Sequence, residues 1–222
     1  MEELTIQYCG LTLKTPLIIG SSPLTSHVAS AKQLEEAGAG AIIIKSLFEE
    51  QIQMEAHSVI ESGSDFNDTV EAQDYISYYV KQNSLSDYID LVKSLKSAIT
   101  IPVIASINCA TNSNWISFAK TIENAGADAI EVNIYIVPGY HETDSIKIES
   151  MYYDIISTIK KTVSIPIMVK LADRFTTLAG TLIRLSKSGA DGMVLFNRFL
   201  GHDISLQDRS VVIANQYSKP SE

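Results

Sequence analysis

Two alternating punctuation signals constrain this chain more than any other feature of its sequence. In the first, a proline precedes an apolar run: Thr15-Pro16 before LIIGSS, Ile101-Pro102 before VIASIN and Ile165-Pro166 before IMVKL. Proline suits the first residue of a strand, where no ladder donor is needed. In the second, a small-Gly-Ala turn comes before the run: Ala37-Gly38-Ala39 before AIIIKS, Ala125-Gly126-Ala127 before AIEVNI and Ser188-Gly189-Ala190 before GMVLFN. Glycine there fits the left-handed position that ends a helix before the chain enters the next strand. The step from proline to the next glycine is 22 residues at Pro16–Gly38, 24 at Pro102–Gly126 and 23 at Pro166–Gly189. The chain therefore carries an internal repeat.

Between the apolar runs lie amphipathic stretches, SAKQLEEAG, YIDLVKSLKSA, WISFAKTIENAG, YYDIISTIKKT and TLIRLSKSG, with apolar residues three and four apart. Nearly all-apolar strands alternating with helices indicate an α/β protein whose parallel sheet is covered by its crossovers. The expected fold is a parallel (β/α)8 TIM-type barrel. A doubly wound open sheet is the competitor, but it would more often carry a glycine-rich phosphate turn after the first strand, where this chain has GSSPLTS. A closed barrel of this type has eight strands. The repeat supplies only six βα units, leaving about 60 residues to be found. Residues 1–222 are thus expected to form one incomplete barrel domain that stops short, with ISLQDRSVVIANQYSKPSE adding no seventh unit. The open sixth strand should then favour self-association. Pro16 to Pro102 spans 86 residues against 64 from Pro102 to Pro166, so residues 49–84 should contain an inserted loop after the second strand. Such a loop is a candidate lid over the ligand face, or a surface decoration.

Lys plus Arg total 17 against 26 Asp plus Glu, a net charge of -9. No basic patch offsets it, so nucleic acid is not an expected partner. The acidic start MEELTIQYCG is unlike a signal peptide, and no apolar run approaches the ~20 residues of a membrane span. The expectation is a soluble, cytoplasmic protein with no membrane partner. Cys9 and Cys109 are expected as reduced thiols, and the four histidines show no metal-ligand spacing, so no metal is expected.

Polar residues at the C-terminal ends of the strands carry the functional signal, because those ends form the ligand face of a barrel. They are Ser21, Ser22, Lys45, Ser46, Ser106, Asn108, Asn133, Lys170, Asn197 and Arg198. A lysine directly after AIII or IMV is costly to bury without an anionic partner. Either each ammonium snorkels into solvent from the barrel rim, or an anion or electron-rich ring over the mouth satisfies both. Glu49-Glu50 could pair with Lys45, but the favoured reading is the start of a solvated helix. Cys109, beside Asn108, is read as a buried, inert thiol.

The runs SPLTS (Ser22–Ser26), IIIKSLFEEQI (Ile42–Ile52), IPVIASIN (Ile101–Asn108), AGADAIEVNIYIVP (Ala125–Pro138), IPIMVKL (Ile165–Leu171) and SGADGMVLFNRF (Ser188–Phe199) together resemble the dihydroorotate dehydrogenase family, and most closely its dihydroorotate dehydrogenase-like branch. The resemblance runs through essentially the whole chain in the expected order. It implies a barrel holding flavin mononucleotide (FMN), with hydride transfer to the flavin from dihydroorotate or a related dihydropyrimidine, a small-molecule substrate, and a possible homodimer. By position it assigns Ser21, Lys45, Ser46, Asn133 and Lys170 to the flavin, and Lys45, Asn133 and Asn197 to the substrate. Lys170 matches the lysine at the flavin pyrimidine edge.

Three departures bear on activity. The family's cysteine or serine base would fall at or beside Ile136, which cannot take a proton; Tyr135 and His141 are the remaining candidates. The family's Asn-rich substrate loop is not recognisable in SVIESGSDFNDTVEAQ. Its glycine-rich phosphate cradle would lie past Glu222. Two alternatives therefore stay open: an inactive fragment or binding protein of the same fold, and a barrel lyase forming a Schiff base at Lys45 or Lys170.

Overall fold

The computed structural model describes residues 4–62, 69–109, 112–136, 144–173, 175–197 and 201–214. The chain opens with an antiparallel hairpin, β1 (Ile6–Tyr8) and β2 (Leu11–Leu13), turned at Cys9 and Gly10, both with positive φ. Then follow β3 (Ile18–Ile19), α1 (Val28–Glu36), β4 (Ala41–Ile43), β5 (Leu47–Phe48), α2 (Glu49–Ser62), α3 (Val70–Ala98) and β6 (Val103–Asn108). Next come α4 (Asn112–Asn124), β7 (Ala129–Asn133), α5 (Ser145–Lys160), β8 (Ile167–Leu171), α6 (Leu178–Lys187) and β9 (Gly192–Leu195). A second hairpin, β10 (Gly201–Ile204) with β11 (Val211–Ala214), forms its own antiparallel sheet.

The main sheet is parallel and runs β3-β4-β6-β7-β8-β9, with β5 also on β6. Each strand pairs with the next in sequence and the order never reverses. A doubly wound sheet would reverse at its switch point. The architecture is therefore six parallel strand positions curled into a half-barrel with helices outside, as the repeat implies. Where an inserted loop is expected, residues 49–62 form α2 and residues 70–84 the first half of α3. No described helix is long and apolar enough to cross a membrane.

Alternation along the strands separates two apolar layers. Ile42, Ile44, Val103, Ala105, Ile107, Ile130, Val132, Ile167 and Val169 face outward and pack under the helices with Trp115, Phe118 and Ile156. Ala41, Ile43, Ile104, Ala129 and Met168 face inward, where Leu13 and Tyr8 of the first hairpin plug the N-terminal end.

The repeat has a visible stereochemical basis. At Gly38, Gly126 and Gly189, φ is +100°, +95° and +111°. In each case the glycine N–H donates to the carbonyl three residues back (Glu35, Glu123, Ser186) and the next alanine to the carbonyl five back (Leu34, Ile122, Leu185). This is a Schellman cap, which satisfies orphan helix carbonyls. The residues flanking Pro102 and Pro166 are clamped by carboxylates. Asp128 accepts from Val103 N–H at 2.7 Å and from Lys96, and Asp191 accepts from Ile167 N–H at 2.8 Å and from Lys160. Likewise Glu35 accepts from the Thr100 amide at 2.9 Å and hydroxyl at 2.6 Å, and Glu123 from the Ser164 amide at 2.6 Å and hydroxyl at 2.7 Å. All four clamps lie at the N-terminal end of the barrel, the end where side chains serve stability.

Candidate functional site

Strand period two puts Asn108, Asn133 and Lys170 on the same inward face as Ile104, Ala129 and Met168, and Lys45 follows β4 at the same end of the sheet. Asn133 and Lys170 are direct register partners at the C-terminal end of the sheet. Asn197, just past β9, donates from Nδ2 to Asn133 Oδ1 at 2.8 Å, and its own N–H is held by Leu171 O at 2.6 Å. Asn133 is buried, Asn197 and Lys170 are half-buried, and Lys45 is exposed.

The second barrel strand is broken where it presents Lys45 and Ser46. Ile43 is level with Ile104 and Leu47 with Ile107, so four steps along one strand match three along the other. That is a bulge, which re-aims side chains and leaves ladder groups to be satisfied elsewhere. The Ser46 N–H is taken by Ser21 Oγ at 3.1 Å, which ties the first strand end to the second. The main-chain groups of Ser106 that the bulge abandons are both met by Tyr88 of α3. Its hydroxyl accepts from Ser106 N–H at 2.9 Å and donates to Ser106 C=O at 2.9 Å. Burial pushes this phenol far above its ordinary range, as a neutral donor-acceptor requires.

Beneath these groups lies a buried carboxylate. Glu131, at the middle of β7, is 1% exposed and accepts from Ser106 Oγ at 2.7 Å. Ser106 Oγ is in turn 2.6 Å from Ser46 Oγ, and Lys170 Nζ stands 3.9 Å from Glu131 Oε1. Desolvation raises the Glu131 pKa, while Lys170 and the Ser106 hydroxyl work against that rise. The anionic partner that a lysine after IMV calls for is therefore present within the barrel.

Ser21, Ser46, Asn133, Lys170 and Asn197 are drawn into one polar layer, with Lys45 at its rim. Ser46 and Lys45 also line a cleft of about 370 Å³ under α2 and α3, with Gln51, Asp87 and Tyr88. Tyr135 lines a separate cavity of about 500 Å³ with Asn108, Cys109, Trp115 and Met151. Ile136 packs against the helix-side core. His141 and Arg198 lie outside the described residues. Burial pushes the Cys109 thiol far up, in keeping with an inert cysteine. Glu49 departs from expectation: it does begin α2, but it is buried rather than solvated. Asn114 Nδ2 at 2.5 Å and Gln53 Nε2 at 3.1 Å donate to its carboxylate and make that burial tolerable. Glu131 and Tyr88 escape a reading confined to strand ends. A lone acid inside AIEVN, two residues before Asn133 and so on the same face, is the signal for the first. Tyr88 has no such signal, because on a helix its ring reads as one more core residue.

A family model described as dihydroorotate dehydrogenase matches residues 3–218. Among curated proteins, the chain is 22% identical over 215 residues to the dihydroorotate dehydrogenase B (NAD(+)) catalytic subunit of Methanocaldococcus jannaschii, covering 94% of this chain and 67% of that protein. To the protein of the same name from Thermoplasma acidophilum it is 23% identical over 225 residues, covering 98% and 69%. To that of Enterococcus faecalis it is 26% identical over 218 residues, covering 97% and 68%. The chain thus spans 67–69% of the length of these relatives. A match from one end of the described half-barrel to the other, through every strand that supplies the polar layer, shows that the chain belongs to the dihydroorotate dehydrogenase family.

Proposed function

We propose that this chain is the barrel portion of a flavin-dependent oxidoreductase that oxidises dihydroorotate, or a related dihydropyrimidine, with FMN as the acceptor. The observation that carries this reading is the register pairing of Asn133 with Lys170 at the C-terminal end of the sheet, with Asn197 bonded to Asn133. The donor set fits the group: the Lys170 ammonium and a pair of carboxamides, with Lys45 at the rim, suit an electron-rich ring with polar edges. When bound, the flavin supplies a two-electron hydride acceptor. Lys170 holds a fixed positive charge where such a ring gains negative charge, a preorganised stabilisation in a poorly hydrated site. Asn133, whose oxygen already accepts from Asn197, has its amide N–H groups for a ligand carbonyl. Ser21 and Ser46 fix the bulge from which Lys45 reaches over the mouth toward the substrate, and Asn197 orients Asn133 from the substrate side. The acid-base role falls to Tyr135 or His141, since Ile136 has no exchangeable proton.

The relatives are named as catalytic subunits, which supports work within an assembly. A homodimer and a cytoplasmic location belong to the same reading. Titration with FMN should give stoichiometric binding with a perturbed flavin spectrum, and Lys170→Met should weaken it about tenfold, the loss of one charged contact. Anaerobic dihydroorotate should then bleach the bound flavin. Absence of FMN binding would overturn the reading.

Ile136 favours a second reading, a family member that binds without turnover. Flavin that binds and is never bleached by dihydroorotate would select it. The Schiff-base alternative draws less support, because Lys45 is exposed and Lys170 has a carboxylate at 3.9 Å, whereas such nucleophiles sit in desolvated apolar pockets.

A further inference from the structure

Glu131 is the only acidic residue in the described strands of the main sheet. Its Cα is level with Met168, two residues nearer the plugged end than Lys170. The carboxylate therefore lies below the ammonium, away from the ligand face. Four groups surround it: Ser106 from β6, Lys170 from β8, and the phenols of Tyr88 from α3 and Tyr8 from β1, both of which feel its charge. The Ser106 hydroxyl has a single proton, and Glu131 takes it. In the 2.6 Å contact between the two serines, Ser46 must then be the donor. The result is a directed chain, Ser46 to Ser106 to Glu131, ending on a carboxylate with an ammonium on its far side. Its first member, Ser46, is the residue after Lys45 in the bulge.

We propose that Glu131 is the positioning residue of this site: it holds the Lys170 ammonium in place and balances its charge until an anionic or electron-rich ligand arrives at the barrel mouth. Glu131 touches no ligand itself. It acts by fixing where Lys170 stands and how much positive charge the mouth presents. The proposal deepens the flavin reading and rests on it for one of its two readouts.

The first readout needs no flavin. Acetylation of individual lysines in the ligand-free protein, followed by mass spectrometry at pH 8, reports how readily each amine is released from the groups that hold it. Glu131→Gln keeps the side chain's shape and removes the charge, so Lys170, 18% exposed, should be acetylated about tenfold faster once its ammonium loses its anchor, while the exposed Lys147 stays unchanged. A change below about twofold would overturn the proposal. Should Glu131→Gln fail to melt cooperatively, Ser106→Ala carries the test. It loosens the carboxylate without removing it and should raise Lys170 reactivity about threefold; an unchanged rate would overturn the proposal equally. The second readout is the affinity for reduced relative to oxidised FMN. It should rise about tenfold in Glu131→Gln, because the uncompensated ammonium favours the more anionic ring, and this rise should vanish in the Glu131→Gln/Lys170→Met double variant. A protein that binds no FMN yet shows the reactivity change would refute the flavin reading and leave the role of Glu131 standing.

Discussion

At Tyr88 a phenol takes the place of a peptide group. Its hydroxyl closes the two main-chain bonds that the bulge at Lys45–Ser46 withdraws from Ser106. Tyr88→Phe keeps the ring packing and leaves a buried N–H and C=O unsatisfied, so the unfolding free energy from chemical denaturation should fall by about 2 kcal/mol. Glu123 makes a different kind of contribution. Burial alone would raise its pKa, but Lys120 and the Ser164 hydroxyl and amide outweigh that and hold it at about 2 against an ordinary 4.5. Its folded value is depressed, so its stabilisation is fully present above pH 4.5 and drains away as pH falls toward about 2. Thermal melts of Glu123→Gln should approach those of the native protein through that window and lie below them at neutral pH. Residue-level legibility is uneven in consequence. Lys45, Asn133 and Lys170 stand out because charge and amide end apolar runs. Glu131 is hidden by its position inside a run, and Tyr88 by its helix.

The elements of the repeat are readable because each boundary has its own chemistry. Proline before β6 and β8, and a glycine cap before β4, β7 and β9, mark strand starts without recourse to tertiary structure. At Gly38 an added Cβ would meet nothing within 4 Å, so Gly38→Ala tests backbone conformation alone. With φ at +100° it should cost about 1–2 kcal/mol, visible as a lowered melting temperature. Phe118 of α4, fully buried between helix and sheet, tests packing instead: Phe118→Ala should cost about 3–5 kcal/mol and could leave the chain unable to fold at 37 °C. The two hairpins escape the repeat logic. β1 and β2 turn on Cys9-Gly10, which lacks the Asn-Gly or Asp-Gly signature of such turns, and both strands are only three residues long.

As a whole, the described sheet begins at β3 and ends at β9, and β9 pairs only with β8 among the described residues. Leu195 and Phe196 are exposed beside that edge. Edges of this kind template further pairing, so light scattering should show mass rising with concentration, and Leu195→Lys should suppress it. Barrel class is legible from the period of the repeat, whereas which face each residue takes becomes certain only through the register. The bulge in the second strand has one more consequence. Because a side chain, and not main chain, meets that part of the wall, the Tyr88 phenol fastens α3 to β6 beside the bulge. Occupancy of the mouth and the set of this long helix are therefore mechanically linked, and a fluorophore on the outer surface of α3 near Tyr75 should respond when the lysines below find their ligand.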